Sequence, residues 1–317
     1  MTEGPGVQSE RLLVEVVRGD LVESRHQVRA VVTQPDGQVA TSWGPAEELM
    51  YPRSSAKPLQ AIAMLRHGLD LDGSELALAA ASHSGEPYHL AGVASILAGA
   101  DLGVDDLRNT PDLPLHEPSR HDRVRAGRGP ESLTQNCSGK HAAMLRTCVR
   151  AGWPTEGYLD LDHPLQQAIL EVIGEFTGGV GPVAVDGCGA PLAATTLTGL
   201  AHAFGRIAAA PSGPEHALAD AYRDHPEYAS GTGRDDLALH RAVPGLVCKG
   251  GAEAVMAIGL PDGRGIAIKV EDGAARAIMP VVAHLLELLD VPVEGELPFA
   301  PVLGHGRPAG QLRVATS

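Results

Sequence analysis

Runs of β-branched and other apolar residues dominate positions 11–43. Leu12-Leu13-Val14-Glu15-Val16-Val17-Arg18, the run from Val22 to Val32, and Val39 to Trp43 after the turn signal Pro35-Asp36-Gly37 predict a β meander or hairpin. The pattern then changes. Leu59, Ile62, Ala63 and Leu65 recur at helical spacing and predict a helix ending near Gly68. Further helices are expected over 76–81 behind Asp72-Gly73-Ser74, up to about Ala100, from Gln135 to about Ala151, from Pro164 to about Phe176, up to Ala210, and over 214–223. Residues 101–135 read as an irregular covering loop. Val183-Ala184-Val185 is a short strand running into a glycine turn. Val247 to Gly251, Ala254 to Leu260 and Gly265 to Val270 read as strands, a helix follows to about Leu289, and the tail is rich in Pro and Gly. No tandem repeat or low-complexity segment interrupts this order.

With 317 residues the chain is long enough for one large or two small domains and a buried core. Its net charge of −14 argues against phosphate backbones and anionic membranes as partners, and 3% aromatics leaves little for stacking on bases. No apolar run approaches the ~20 residues of a membrane span. Met1 to Glu10 has neither a basic nor an apolar leader region, so a cytoplasmic chain is expected. In that setting Cys137, Cys148, Cys188 and Cys248 are expected to be thiols or metal ligands rather than disulfides.

Lysine usage points to chemistry. Only Lys57, Lys140, Lys249 and Lys269 occur, and every other basic side chain but histidine is arginine. Arginine serves as a surface charge but cannot be deprotonated, whereas lysine can. Three of the four lysines sit among small residues: Ser-Ser-Ala-Lys57-Pro, Asn-Cys-Ser-Gly-Lys140-His and Cys-Lys249-Gly-Gly. Ser54 and Lys57 form S-x-x-K, and on a helix they would point the same way. A serine beside an amine kept neutral by burial is a nucleophile with its own base. The plain alternative is a helix-capping serine followed by a solvated lysine. Ser82-His83-Ser84-Gly85-Glu86 is either a capping turn or a second wall of a site. Cys137 and His141 are, one by one, ordinary buried helix residues. Ser230-Gly231-Thr232-Gly233-Arg234-Asp235 is a glycine-rich loop but not a phosphate loop, since no Gly-Lys-Ser/Thr follows.

Taken together and in order, Arg53-Ser54-Ser55-Ala56-Lys57-Pro58-Leu59-Gln60, Ser82-His83-Ser84-Gly85-Glu86, Asn136-Cys137-Ser138-Gly139-Lys140-His141, His163-Pro164-Leu165-Gln166, Asp186-Gly187-Cys188-Gly189-Ala190-Pro191, the 230–235 loop and Lys249-Gly250-Gly251 resemble the Rhizobium-type, class 3 L-asparaginases of the asparaginase II family. The likeness spans about residues 12 to 290. It implies an α+β, serine-β-lactamase/glutaminase-like fold, mainly antiparallel sheet flanked by helices with a helical subdomain. On that pattern residues 1–317 form a single catalytic unit, with sheet-forming parts at about 11–60 and 245–290 and a helical part at about 61–244.

The resemblance further implies hydrolysis of L-asparagine to L-aspartate and ammonia by two Ser–Lys pairs. Ser54 matches the nucleophile and Lys57 its partner. Lys249 matches the second lysine, with Ser84 as its serine and Ser82 as the runner-up. Arg53, Asp186, His141 and Gly251 are the candidate substrate-binding residues, with Asp186 suited to the α-ammonium. The amides of Ser54 and near Gly251 are candidates for an oxyanion hole. Cys137, Lys140 and Cys188 match a zinc site with a fourth position open, and the metal is expected to orient rather than to react. A small-molecule substrate and, by analogy, a homodimer are implied. The chain departs from the family at Gln135, where a second asparagine is common, and at Asp236 and Leu237, where threonine is common. Two other readings stay open: a glutaminase or other S-x-x-K acylase, and a non-catalytic zinc or amino-acid binding protein on the same scaffold.

Overall fold

Strands β1 (Val7–Gln8), β2 (Leu12–Arg18), β3 (Leu21–Thr33) and β4 (Val39–Trp43) open the chain. Helices α1 (Lys57–Arg66), α2 (Gly73–Ala79), α3 (Pro87–Ala98), α4 (Glu117–Arg125), α5 (Ser138–Ala151) and α6 (Pro164–Thr177) follow. Next come β5 (Val183–Val185), β6 (Pro191–Ala193), α7 (Leu197–Ala208), α8 (Gly213–Asp224), α9 (Pro226–Ala229) and α10 (Asp235–Ala242). The chain closes with β7 (Val247–Gly251), β8 (Val255–Gly259), β9 (Gly265–Val270), α11 (Ile278–Leu288), β10 (Val302–Gly304) and β11 (Arg307–Val314). This computed structural model describes residues 7–8 and 10–315. Most of Met1 to Glu10, the stretch without a leader signal, lies outside the described residues. The described architecture is α+β with a mainly antiparallel sheet, as expected. Among the described residues no helix is long and apolar enough to cross a membrane.

The chain divides into two compact units. One comprises Met1–Ser55, Thr195–Ala209 and Ala238–Ser317, and the other Ala56–Ala194 and Ala210–Leu237.

In the first unit the strands run in the order β10-β11-β2-β3-β9-β8-β7, and β4 pairs with β3 and, in parallel, with β1. Successive side chains alternate between faces. Val28, Ala30 and Val32 of β3, with Met256 and Ile258 of β8, pack with Val281, Val282 and Leu285 of α11 in one core. Val31, Val255, Ala257 and Ala267 point the other way, onto Leu197, Leu200, Ala201 and Phe204 of α7. Each Val, Leu, Ile, Met or Phe among them contributes about 1.5–3 kcal/mol by burial. Both faces of β8 and β9 are therefore covered, which explains their nearly unbroken apolar sequences. The approach of α7 is close: a Cβ on Gly265 would lie 1.8 Å from Ala201 O, so a side chain there would push helix and sheet apart. The tail is not irregular throughout. β11 pairs antiparallel with β2 and extends the sheet beyond residue 290.

In the second unit α1 packs against α5, α6 and α8, α3 against α5, and α2 against α8 and α9. Every residue of α1 from Lys57 to Met64 is buried. The α-helix does not include Ser54. Arg53–Ala56 form a tighter 3-10 turn, and the α-helix starts at Lys57 with Pro58 in its first turn, where the missing N–H leaves no bond unmade. Asp72 stands before α2 with extended backbone, but its side chain makes no capping bond. The expected loop over 101–135 contains α4, whose sequence Glu-Pro-Ser-Arg-His-Asp-Arg-Val-Arg has no apolar period by which to recognise it.

Candidate active site

Arg53, Ser54, Lys249 and Gly251 belong to the sheet unit. Ser54 is half-buried in the 3-10 turn, and neither its hydroxyl nor its N–H has a hydrogen-bond partner among the described residues. Its neighbour Ser55 is buried and donates to Pro52 O at 2.6 Å, which holds the turn closed. Arg53 has φ of 52°, a left-handed conformation uncommon outside glycine. β7 runs alongside. A Cβ on Gly251 would meet Pro52 O at 2.6 Å, Ser55 N at 3.1 Å and Ser54 N at 3.3 Å, so only glycine lets this strand lie against the turn. Lys249, two residues earlier on the same face of β7, is fully buried, and its Nζ donates to Gly250 O at 2.7 Å.

The other candidate residues belong to the helical unit. Lys57 is 2% exposed, and its Nζ lies 2.6 Å from Ala81 O, 3.0 Å from Ser82 Oγ and 3.1 Å from Cys137 Sγ. Ser84 points elsewhere, its hydroxyl donating to Ser230 O at 3.0 Å. Between them His83 is fully buried. Its Nδ1 accepts from Gly85 N, so Nε2 carries the proton and donates to Ser138 Oγ at 2.8 Å. Burial, then the charges of His89 and Lys57, push His83 well below the usual imidazole range, so it is a neutral structural link.

Ser138 opens α5 and places Cys137, Lys140 and His141 around its first turn. Gln135 departs from the family pattern yet keeps a capping role: its Oε1 accepts from Cys137 N at 2.9 Å and from Asn109 Nδ2 at 3.0 Å. His141 is fully buried. Tyr158 OH accepts from Arg108 N and lies 2.9 Å from His141 Nδ1, and the buried Nε2 of His141 has no partner among the described residues. A strand-to-turn junction supplies Cys188 and Asp186. The Asp186 carboxylate accepts from Gly187 N at 2.9 Å and acts electrostatically on Lys140.

Cys137, Cys188 and Lys140 converge as the spacing could not show. Lys140 Nζ is 3.4 Å from Cys188 Sγ, and both cysteines are buried. The Cys137 thiol is held well below its usual range by a hydrogen bond from Cys188, reinforced against burial by the charges of Lys57 and Lys140. Cys188 is pushed up by that same hydrogen bond and by burial. Burial works against the Lys140 ammonium, but the negative charge on the cysteine pair and on Asp186 outweighs it and holds the amine protonated. Two sulfurs and an amine in a dry pocket are a donor set that fits zinc, provided Cys188 and Lys140 give up their protons to it.

Sequence reasoning had no signal for the His83–Ser138 link or for the contacts of Glu86, whose carboxylate accepts from Thr232 N at 2.9 Å and Thr232 Oγ1 at 2.8 Å. These join residues far apart in the chain.

Among solved structures, one described as Mglu in its native form is 13% identical, with coverage of 84% of this chain and 64% of that chain and a TM-score of 0.45. A Bacillus glutaminase in the presence of 4.3 M NaCl is 13% identical, covering 84% of this chain and 92% of that chain, with a TM-score of 0.40. A probable glutaminase is 15% identical over 78% of this chain and 81% of that chain, with a TM-score of 0.39. This chain thus spans less than two thirds of the Mglu chain, and at such scores the likeness carries no argument about activity. No curated protein matches in sequence. The model of the family described as L-asparaginase II matches residues 14–314, nearly the whole chain, and the chain therefore belongs to the L-asparaginase II family of amidohydrolases.

Proposed function

We propose that this protein hydrolyses the side-chain amide of L-asparagine to L-aspartate and ammonia through an ester on Ser54. The observation that carries the reading is Lys57, a buried amine held by Ala81 O and Ser82 Oγ and joined to Ser54 by one tight turn. To act as base the charged Lys57 must first give up one proton, and the neutral amine then has two N–H donors and one lone pair. Ala81 O and Cys137 Sγ take the donors, and the lone pair takes the Ser54 proton as Oγ bonds to the amide carbon. Ser82 relays that proton to the amide nitrogen, the C–N bond breaks and ammonia leaves. Water then attacks the ester with Lys57 again as base, freeing aspartate and restoring Ser54. The unpaired Ser54 N–H is a donor for the developing oxyanion. Asp186 receives the α-ammonium, and Lys249 completes the second Ser–Lys pair. Ser82 is preferred to Ser84 for the relay because the Ser84 hydroxyl is already given to Ser230 O. Zinc on Cys137, Cys188 and Lys140 would supply a fixed positive charge that orients the substrate.

The test is ammonia release from L-asparagine and L-glutamine by wild type and Ser54→Ala. The expected result is turnover of asparagine that Ser54→Ala abolishes. Comparable turnover of glutamine would move the substrate assignment, and activity surviving in Ser54→Ala would remove the ester mechanism.

A further inference from the structure

The Lys57 amine fills a slot between two segments of the helical unit. On one side lie Ala81 O at 2.6 Å and Ser82 Oγ at 3.0 Å, and on the other Cys137 Sγ at 3.1 Å. Lys57 itself comes from α1 and belongs to neither segment. The width of the slot is therefore set by what joins the two segments to each other. On the Leu78 side they approach so closely that a Cβ on Gly139 would lie 2.5 Å from Leu78 O.

At the Ser82 end the joint is His83. Its backbone N–H donates to Asn136 O at 3.1 Å, and its side-chain Nε2–H donates to Ser138 Oγ at 2.8 Å. The residue next to Ser82 is thus bonded to the residues on both sides of Cys137. Each end of the side-chain bond is fixed in turn. His83 Nδ1 accepts from Gly85 N at 3.1 Å, which sets the tautomer, and the Ser138 hydroxyl donates to Leu133 O at 2.8 Å. The His83 ring stacks on His89 with centroids 5.2 Å apart. Both His83 and Ser138 are fully buried, so removing either leaves the other without its partner in a place closed to water.

We propose that His83 is a positioning residue: by bracketing Cys137 it sets the gap between Ser82 Oγ and Cys137 Sγ in which the Lys57 amine takes and returns protons. The roles of Lys57 and Ser82 rest on the hydrolase reading. The test measures ammonia release and amide exchange by mass spectrometry in His83→Asn, His83→Gln, Ser138→Ala and the double variant His83→Asn/Ser138→Ala. His83→Asn can still accept from Gly85 N but falls one bond short of Ser138, whereas the amide N–H of His83→Gln reaches it. Ser138→Ala is the smaller change and decides the matter if His83→Asn does not fold. In His83→Asn and Ser138→Ala, kcat for L-asparagine should fall roughly ten- to hundredfold, as a shift of about 1 Å in the base does, while KM changes by less than about threefold. His83→Gln should keep most of kcat. The double variant should be no slower than the slower single one, because each change removes the same bond. Exchange should quicken at 81–85 and 134–140 and not in α6. Unchanged kcat, a loss carried by KM, fully additive losses, or exchange raised equally in α6 would overturn the assignment. If wild type releases no ammonia, the hydrolase reading falls and exchange decides the rest: quickened at those two segments alone, the bracket stands, and unchanged there, it falls too.

Discussion

Replacing Gly251 with alanine tests the link between β7 and the turn that carries Ser54 within the sheet unit. The new Cβ would lie 2.6 Å from Pro52 O, about 0.8 Å short of the 3.4 Å at which ordinary contact begins. It would also crowd Ser55 N at 3.1 Å and Ser54 N at 3.3 Å. These are backbone atoms with no flexible end to yield, so the turn must move. Overpacking of this kind costs about 1–3 kcal/mol, which for a unit of this size lowers the thermal midpoint by about 2–12 °C. The functional loss should be larger in proportion. A shift of about 1 Å in a reacting group is enough for roughly a hundredfold loss of rate. Gly251→Ala should therefore stay folded at 25 °C while kcat for asparagine falls about a hundredfold. Ammonia release and a calorimetric melt on the same preparation check both. Full kcat with an unchanged midpoint would refute the reasoning, because it would mean the turn is not braced by β7.

Other outcomes follow from the same geometry. Ser54→Ala should lose ammonia release yet keep its stability within about 0.5 kcal/mol, because the hydroxyl is half-buried and bonded to no described residue; a chemical denaturation curve reads the second point. Ser82→Ala should lower kcat by roughly a hundredfold or more as a proton relay is lost, whereas Ser84→Ala should act mainly by loosening the 230–235 loop, seen as faster amide exchange there. Zinc content by mass spectrometry of metals should approach one ion per chain in wild type and fall in Cys188→Ser, independently of activity. Asp70 is held at about 2 by a hydrogen bond from Arg146, with Arg150 assisting against partial burial. Its folded-state pKa lies below the ordinary carboxylate value, so its stabilisation is present at neutral pH and is lost as pH falls from about 4 through 2. The pair is partly solvated, so Asp70→Asn should cost only on the order of 1 kcal/mol at pH 7, and the gap between the two melting curves should narrow across that acid window.

Much of this was legible one neighbourhood at a time. The β-branched runs at 12–43 and 247–270, the helical spacing at 57–66 and 138–151, and the S-x-x-K, Asn-Cys-Ser-Gly-Lys-His and Asp-Gly-Cys-Gly motifs are local in sequence, and so are the backbone preferences that act on them. Lysine placement singled out Lys57, Lys140 and Lys249, and all three are buried in the structure. The tail strand β11 and the polar helix α4 escaped for opposite reasons. β11 is ordered by its pairing with β2, almost three hundred residues away, and α4 carries no apolar stripe.

Tertiary packing alone decided the partners within the site. Ser54 and Lys57 are three apart, but the hydroxyl that meets the Lys57 amine in the helical unit belongs to Ser82, because α1 is buried against the end of the α2 segment. The side-chain oxygen of Gln135 accepts from Cys137 N, a bond within the turn that spacing alone does not announce. The Cys137 thiol is held well below its usual range by a hydrogen bond from Cys188, fifty-one residues on, with the charges of Lys57 and Lys140 assisting against burial. Spacing along a chain states which side chains are available. Which lone pair faces which proton is set by contacts whose range in sequence is tens to hundreds of residues, and those exist only once the chain has folded.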